Sequence, residues 1–201
     1  MTAASACILP FSHVPSGSGG NSETLKFQGG SESSLALDLH EKQDDRRMRP
    51  TDLVSPDSVC ASLKATTKKQ LLQELSDRAS KICGLPAREI FDALLHRERL
   101  GSTGIGDGIA IPHGKLSKLK GICGVFGRLD RPVDFGSLDG APVDLVFTIL
   151  TPESSGADHL KALACAARML RDPGLVATIR ATRDDDALYS LIAQRSKPFA
   201  A

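Results

Sequence analysis

One histidine, His113, stands between Pro112 and Gly114 at the end of the run Leu-Gly-Ser-Thr-Gly-Ile-Gly-Asp-Gly-Ile-Ala-Ile-Pro-His-Gly-Lys, residues 100–115. An imidazole is close to neutral at physiological pH, so one ring nitrogen offers a lone pair for attack on an electrophile. The other nitrogen then needs a partner that fixes the tautomer. Gly101, Gly104, Gly106 and Gly108 let backbone approach a ligand and turn N–H groups toward it. Free amides beside a rigid imidazole suit chemistry in which a phosphoryl group is carried on the ring. The plainer alternative is a glycine turn beside a histidine that is merely a satisfied polar group.

A phosphoryl group adds about −1.5 to −2 charge, so such a site needs a cation close by. A unit pair at ~4 Å gains about 4 kcal/mol at an effective dielectric of ~20. Arg97, just upstream of the glycine run, is the candidate; the competing reading pairs it with Glu98 or Asp92 on the surface. His159 follows Thr151, Pro152 and a small polar loop. A helix start there would hold it neutral and favour an anion, unless it is simply an exposed first-turn residue. Asp107 could orient an imidazole, although a turn role suits it better. His96 is expected to face solvent, and His13 and His40 lie far upstream. Lys115, Lys118 and Lys120 form a small basic edge, either a docking face or a solvated loop. Asp107, His113 and His159 offer no short-spaced metal-ligand pair.

The common nucleotide motifs do not fit. A dinucleotide fingerprint requires Gly-x-Gly-x-x-Gly, which glycines at 101, 104, 106 and 108 do not supply. A P-loop ending at Gly114-Lys115 would need glycine at Ile109 and serine or threonine at Leu116. Both readings fail.

Positioning this histidine requires a scaffold, and the hydrophobic pattern outlines one. Residues 57–63 read as a short strand. Over 66–83, Leu71, Leu72, Leu75, Ala79 and Ile82 recur at helical spacing, with Thr66 or Thr67 as cap and Gly84 as stop. A second helix is expected over 86–100, with Ile90, Leu94 and Leu95 buried and Pro86 tolerated in its first turn. Strands follow at 108–112, 121–129 and 143–150. Three helices close the chain, at 157–171, 173–182 and 184–194, with Pro173-Gly174 dividing the first two. Helices before and after a block of strands predict an α/β fold, a mixed β-sheet flanked by helices.

Composition narrows the function. Lys+Arg 25 against Asp+Glu 24 gives a net charge of +1, and the chain holds no Trp and one Tyr. That balance gives no pull toward nucleic acid, and stacking platforms for single strands are lacking. No apolar run reaches the roughly 20 residues of a membrane span. Five dispersed cysteines, without a Cys-x-x-Cys pair, read as reduced thiols of a cytoplasmic protein. Residues 1–47 are rich in Ser, Gly and charge and are expected to be a disordered tail, with one short element at 35–39. The globular pattern starts at Met48, so residues 1–47 are alternatively an extension ahead of the true start. N-terminal sequencing of the endogenous protein tests this; peptides from upstream of Met48 would overturn it.

Arg97-Glu98, the run 101–115 and His159-Leu160 closely resemble the IIA phosphocarrier domains of the phosphoenolpyruvate-dependent phosphotransferase system, and within them the nitrogen-regulatory branch. The resemblance covers roughly residues 50–195, including Pro-Val-Asp-Leu-Val-Phe at 142–147 and Leu-Tyr-Ser-Leu-Ile at 188–192. It implies one IIA domain over residues 48–201 and a phosphoacceptor at His113, charged by a phosphohistidine on the carrier HPr or its nitrogen-branch relative. It further implies that Arg97 neutralises the phosphoryl group and that His159 is the second histidine of the site. Loop residues Thr103, Gly104 and Gly114 are the expected phosphate-binding positions. No cofactor, nucleotide or metal is required. Such a protein is a phosphotransferase component rather than a free-standing enzyme, and it regulates target proteins, a transporter or a sensor kinase, by its phosphorylation state. The alternatives are a IIA component of fructose- or mannitol-type sugar uptake, and a binding module that has lost phosphotransfer.

Overall fold

The computed structural model describes residues 48–194. The tail expected over 1–47, with its element at 35–39, lies outside them. Two 3-10 turns, Pro50–Asp52 and Pro56–Ser58, precede strand β1, Val59–Leu63. The strand expected from residue 57 therefore starts two residues later, because Pro56 sets a turn that the Ser58 hydroxyl closes onto the Ser55 amide at 2.8 Å. Helices α1, Lys68–Cys83, and α2, Ala87–Arg99, follow. Thr67 caps α1 by accepting from the Gln70 amide, and Gly84 ends it at φ 70, a conformation that suits glycine.

The remaining strands are β2, Gly104–Gly106, β3, Ile109–Ala110, β4, His113–Leu116, β5, Cys123–Val133, and β6, Val143–Pro152. Helices α3, Gly156–Leu170, α4, Pro173–Ala181, and α5, Asp185–Gln194, complete the described chain. The sheet runs β1-β5-β6-β3-β2, with β4 also on β6. It is mixed: β1 is parallel to β5, β5 antiparallel to β6, β3 and β4 parallel to β6, and β2 antiparallel to β3.

Strands β2 and β4 were not expected from the pattern. Gly-Ile-Gly and His-Gly-Lys-Leu carry neither β-branched alternation nor an aromatic residue. They are strands because β6 and β3 offer them a ladder. β3 and β4 keep one register along β6, Ala110 opposite Val146 and His113 opposite Ile149. Pro112, which has no N–H to give, interrupts the ladder between them, yet its carbonyl still accepts from the Ile149 amide at 2.9 Å. His113 thus opens a strand that continues past it.

Both faces of the sheet are covered. On one, α1 and α2 place Leu71, Leu72, Leu75, Ile90, Phe91 and Leu94 against Leu63, Val125, Val146 and Leu150. On the other, Ala162, Cys165, Ala166, Ile179, Leu188 and Ile192 of the last three helices meet Phe126, Leu145, Phe147 and Ile149. Alternate side chains of β6 therefore enter opposite cores, which explains why β6 reads as a continuous apolar run. Phe126 and Phe147 meet edge to face at 5.7 Å between centroids, a favoured aromatic geometry.

Candidate active site

Three elements converge on His113. β4, paired along β6, carries it, α2 brings Arg97 in its last turn, and the first turn of α3 brings His159. Gly114 packs directly under α2: a Cβ there would be in van der Waals contact with the Ala93 Cβ, at 3.4 Å. The imidazole of half-buried His113 is held at both nitrogens. Its Nδ1 lies 2.8 Å from the Ile111 carbonyl oxygen, and the Arg97 Nε donates to its Nε2 at 2.9 Å. A carbonyl only accepts and an arginine only donates, so the proton is on Nδ1 and the lone pair on Nε2. Arg97 Nη1 also donates to the Gly101 carbonyl at 3.0 Å. Asp92, the alternative partner considered for Arg97, pairs with Arg88 instead.

His159 is buried, with its ring 5.4 Å from that of His113 and tilted by 55°. Its Nδ1 is 2.9 Å from the Thr151 hydroxyl. Both imidazoles are pulled below the ordinary histidine value, mainly by burial. For His113 the Ile111 carbonyl opposes this and the Arg97 charge reinforces it. For His159 the charges of His113, Lys115 and Arg97 add to burial. Protonation of either ring is thus disfavoured, and both are neutral at neutral pH.

These downward shifts have a consequence for stability. Between the folded value and the ordinary value of 6.5, the unfolded chain binds protons that the folded chain refuses. The contribution to stability is complete above 6.5 and is lost as pH falls through the folded values. Melting temperatures measured from about pH 7.5 down to about pH 5 should fall, and His113→Asn with His159→Asn should flatten that slope. An unchanged slope in the double variant would contradict the assignment.

Behind Arg97 lies a charged cluster that spacing alone did not single out. The buried Glu98 carboxylate takes an ion pair from Lys68 Nζ at 2.5 Å and hydrogen bonds from the Thr103 amide and hydroxyl. Lys68 also donates to the Phe135 carbonyl at 2.7 Å and stands over the Phe135 ring. The signal was present: Ile90 and Leu94 recur every fourth residue, and the next step lands on Glu98. A carboxylate on a buried stripe must be paired. Glu98→Ala should cost about 3 kcal/mol, because it leaves both Thr103 donors without their acceptor and removes the charge partner of Lys68. Urea denaturation of the variant measures this; a loss well under 1 kcal/mol would show the cluster to be dispensable.

The expected loop positions are placed as follows. Both donors of Thr103 are committed to Glu98, and the Gly104 amide donates to the Ser102 hydroxyl at 3.2 Å. Gly104 leaves no room for a side chain, since a Cβ there would collide with Ser137. Gly114 lies in the β4–β6 ladder under α2. These positions therefore shape the loop, which differs from an open cradle of amides. Asp107 takes the turn role, at φ 54 with its amide on the Asp139 carboxylate. Lys118 pairs with Glu89, while Lys115 and Lys120 are exposed. His96 is exposed, and His13 and His40 fall outside the described residues. Among the described residues, no group of three or more His, Cys, Asp or Glu is placed to hold a metal, and no helix is long and apolar enough to cross a membrane.

A mixed sheet covered by helices on both faces, with a histidine on a strand beside β6, is the fold of phosphotransferase-system IIA domains. The IIA mannitol structure from Escherichia coli matches it with a TM-score of 0.61 at 22% identity, over 69% of this chain and 98% of that one. Residues 52–195 match the family "Phosphoenolpyruvate-dependent sugar phosphotransferase system, EIIA 2", and the chain belongs to it. Within the family the similarity runs to nitrogen-regulatory members. A "Nitrogen regulatory protein" of Bradyrhizobium diazoefficiens is 56% identical over 143 residues, 71% of this chain and 94% of that protein. The crystal structure of "Nitrogen Regulatory Protein IIA-Ntr" from Neisseria meningitidis matches with a TM-score of 0.67 at 29% identity, over 71% of this chain and 97% of that one.

Proposed function

We propose that this protein is a cytoplasmic phosphocarrier that accepts a phosphoryl group on Nε2 of His113 from a phosphohistidine of an HPr-like carrier, and regulates target proteins by its phosphorylation state. The observation that carries the reading is the fixed tautomer of His113. The Ile111 carbonyl accepts from Nδ1–H and leaves the Nε2 lone pair outward against Arg97.

Transfer between two imidazoles exchanges one P–N bond for another, so the protein's task is positioning and charge stabilisation. Nε2 attacks phosphorus as the donor imidazole leaves. For that attack the Arg97 guanidinium first gives up its bond to Nε2, freeing the lone pair, and turns to the phosphoryl oxygens, while Nη1 stays on the Gly101 carbonyl. His159, at the start of α3, adds a ring and a helix N-terminus that favour the same anion. Leu100, Ile105 and Leu160 are exposed apolar side chains close in sequence to Arg97, Thr103 and His159. They supply a rim on which a donor protein can dock and exclude water. Thr103, Gly104 and Gly114 support the site by holding the loop and the α2 contact; a direct bond from Thr103 to phosphate would require it to exchange Glu98.

The test has two stages. The purified protein is mixed with phosphoenolpyruvate, enzyme I and the HPr-like carrier of its own cell, and acid-labile label is followed. Partners are then captured with wild type, His113→Ala and His113→Asp. Uptake of label with partner sets that differ between phosphorylated and unphosphorylated protein is expected. Label without any difference in partners would leave a carrier and remove the regulator.

A further inference from the structure

Cys83 closes α1 and Cys123 opens β5, far apart in sequence, yet their side chains are neighbours across one cleft. Cys123 is buried and Cys83 packs on the same core from a half-exposed position. Both line one cleft of about 640 Å³, together with Leu53, Leu85, Lys118 and Lys120. Burial, and then the Cys83 sulfur beside it, push the Cys123 thiol up to about 12. Cys60 and Cys165 are buried outside this cleft.

We propose that Cys83 and Cys123 form a redox-active dithiol, which closes to an intrachain disulfide by exchange with a small disulfide of the glutathione type admitted through this cleft. Cys83 is the entry point, since it is the more accessible sulfur and the lysines of the cleft attract the carboxylates of the incoming peptide. Its thiolate attacks one sulfur of oxidised glutathione. The S–S bond breaks, one glutathione thiolate leaves, and Cys83 becomes a mixed disulfide. Cys123 then loses its proton to that departing thiolate or to water, and its sulfur attacks the Cys83 sulfur. The mixed bond breaks and the second glutathione leaves as a thiol. Two protein thiols have lost two electrons, and one disulfide has become two thiols. Proximity drives the second step despite the weakly acidic Cys123, because the attack is intramolecular. In a reducing compartment such a bond is transient and serves sensing rather than structure. The ring it closes contains all of α2, Arg97 and His113, although the proposal stands independently of phosphotransfer.

The test uses the full chain with Cys7→Ser, treated with oxidised glutathione, alkylated, digested without reduction and mapped by mass. Cross-linked peptides containing Cys83 and Cys123 are expected, with two of the four thiols of Cys60, Cys83, Cys123 and Cys165 protected from alkylation until dithiothreitol is added. Adding Cys123→Ala should stop the reaction at glutathione on Cys83, and Cys83→Ser should leave Cys123 unmodified. If the alanine variant does not fold, the parent map and the serine variant decide. Full alkylation of both sulfurs after treatment, glutathione on Cys83 without a cross-link in the parent, or pairing with another cysteine would each overturn the proposal.

Discussion

His113→Ala is expected to reduce phosphoryl uptake from an HPr-like donor to background, while the variant still folds. In the wild type, the phosphoryl group should sit on Nε2 and not Nδ1. The Ile111 carbonyl, 2.8 Å from Nδ1, keeps the proton there, so Nε2 is the nitrogen with electrons to donate. His159 is a poor substitute for the missing ring: it is buried, its Nδ1 is engaged by Thr151, and Arg97 Nε is directed at His113. His113 is half-buried at the start of β4, so its truncation removes chemistry more than core packing. The measurement is acid-labile label per chain, with the nitrogen assigned by NMR of the phosphorylated imidazole. Full stoichiometry in His113→Ala would remove the assignment, and phosphate on Nδ1 would refute the tautomer.

Arg97→Ala should slow phosphoryl uptake by about 10- to 100-fold, since a charge-assisted hydrogen bond contributes roughly 1.5–3 kcal/mol and each ~1.4 kcal/mol is tenfold in rate. The full Coulomb figure for a pair in contact is larger, but Arg97 is partly exposed and solvent screens it. Arg97→Lys should recover only part of the rate. The guanidinium bonds Nε2 of His113 through Nε and the Gly101 carbonyl through Nη1 at once, a fork that an ammonium lacks. A second readout separates this from loss of fold. The Arg97 charge helps to hold the His113 imidazole below its ordinary value, so removing it should raise the His113 titration midpoint seen by NMR. A wild-type rate in Arg97→Ala, or an unmoved midpoint, would count against the role.

The order of helices and strands could be read from the sequence because each long element repeats its own period. Leu71, Leu72, Leu75 and Ala79 mark α1 as a helix wherever it packs. β6 announces itself as a strand buried on both faces. β2 and β4 are different in kind. Gly-Ile-Gly and His-Gly-Lys-Leu have no pattern of their own and become strands only because β3 and β6 present free ladder positions. The same distinction holds within the site. The residue types at positions 97, 113 and 159 and the resemblance of their motifs mark the chemistry, whereas Glu98, Lys68 and Thr151 carry roles that depend on what lies across the fold.

By itself, then, the sequence determined the long elements through their periods, and through the resemblance of its motifs it pointed to the family and to Arg97, His113 and His159 as the side chains proposed to handle a phosphoryl group. Only the tertiary structure decided which nitrogen of His113 keeps its lone pair, through the Ile111 carbonyl behind it and Arg97 before it. It also decided that the glycine loop is held from behind by Glu98 rather than standing open, and that Cys83 and Cys123 line one cleft. Hydrogen-bond direction, burial and the meeting of distant side chains arise from groups that the chain brings together only when the sheet closes, and no spacing along the sequence encodes them.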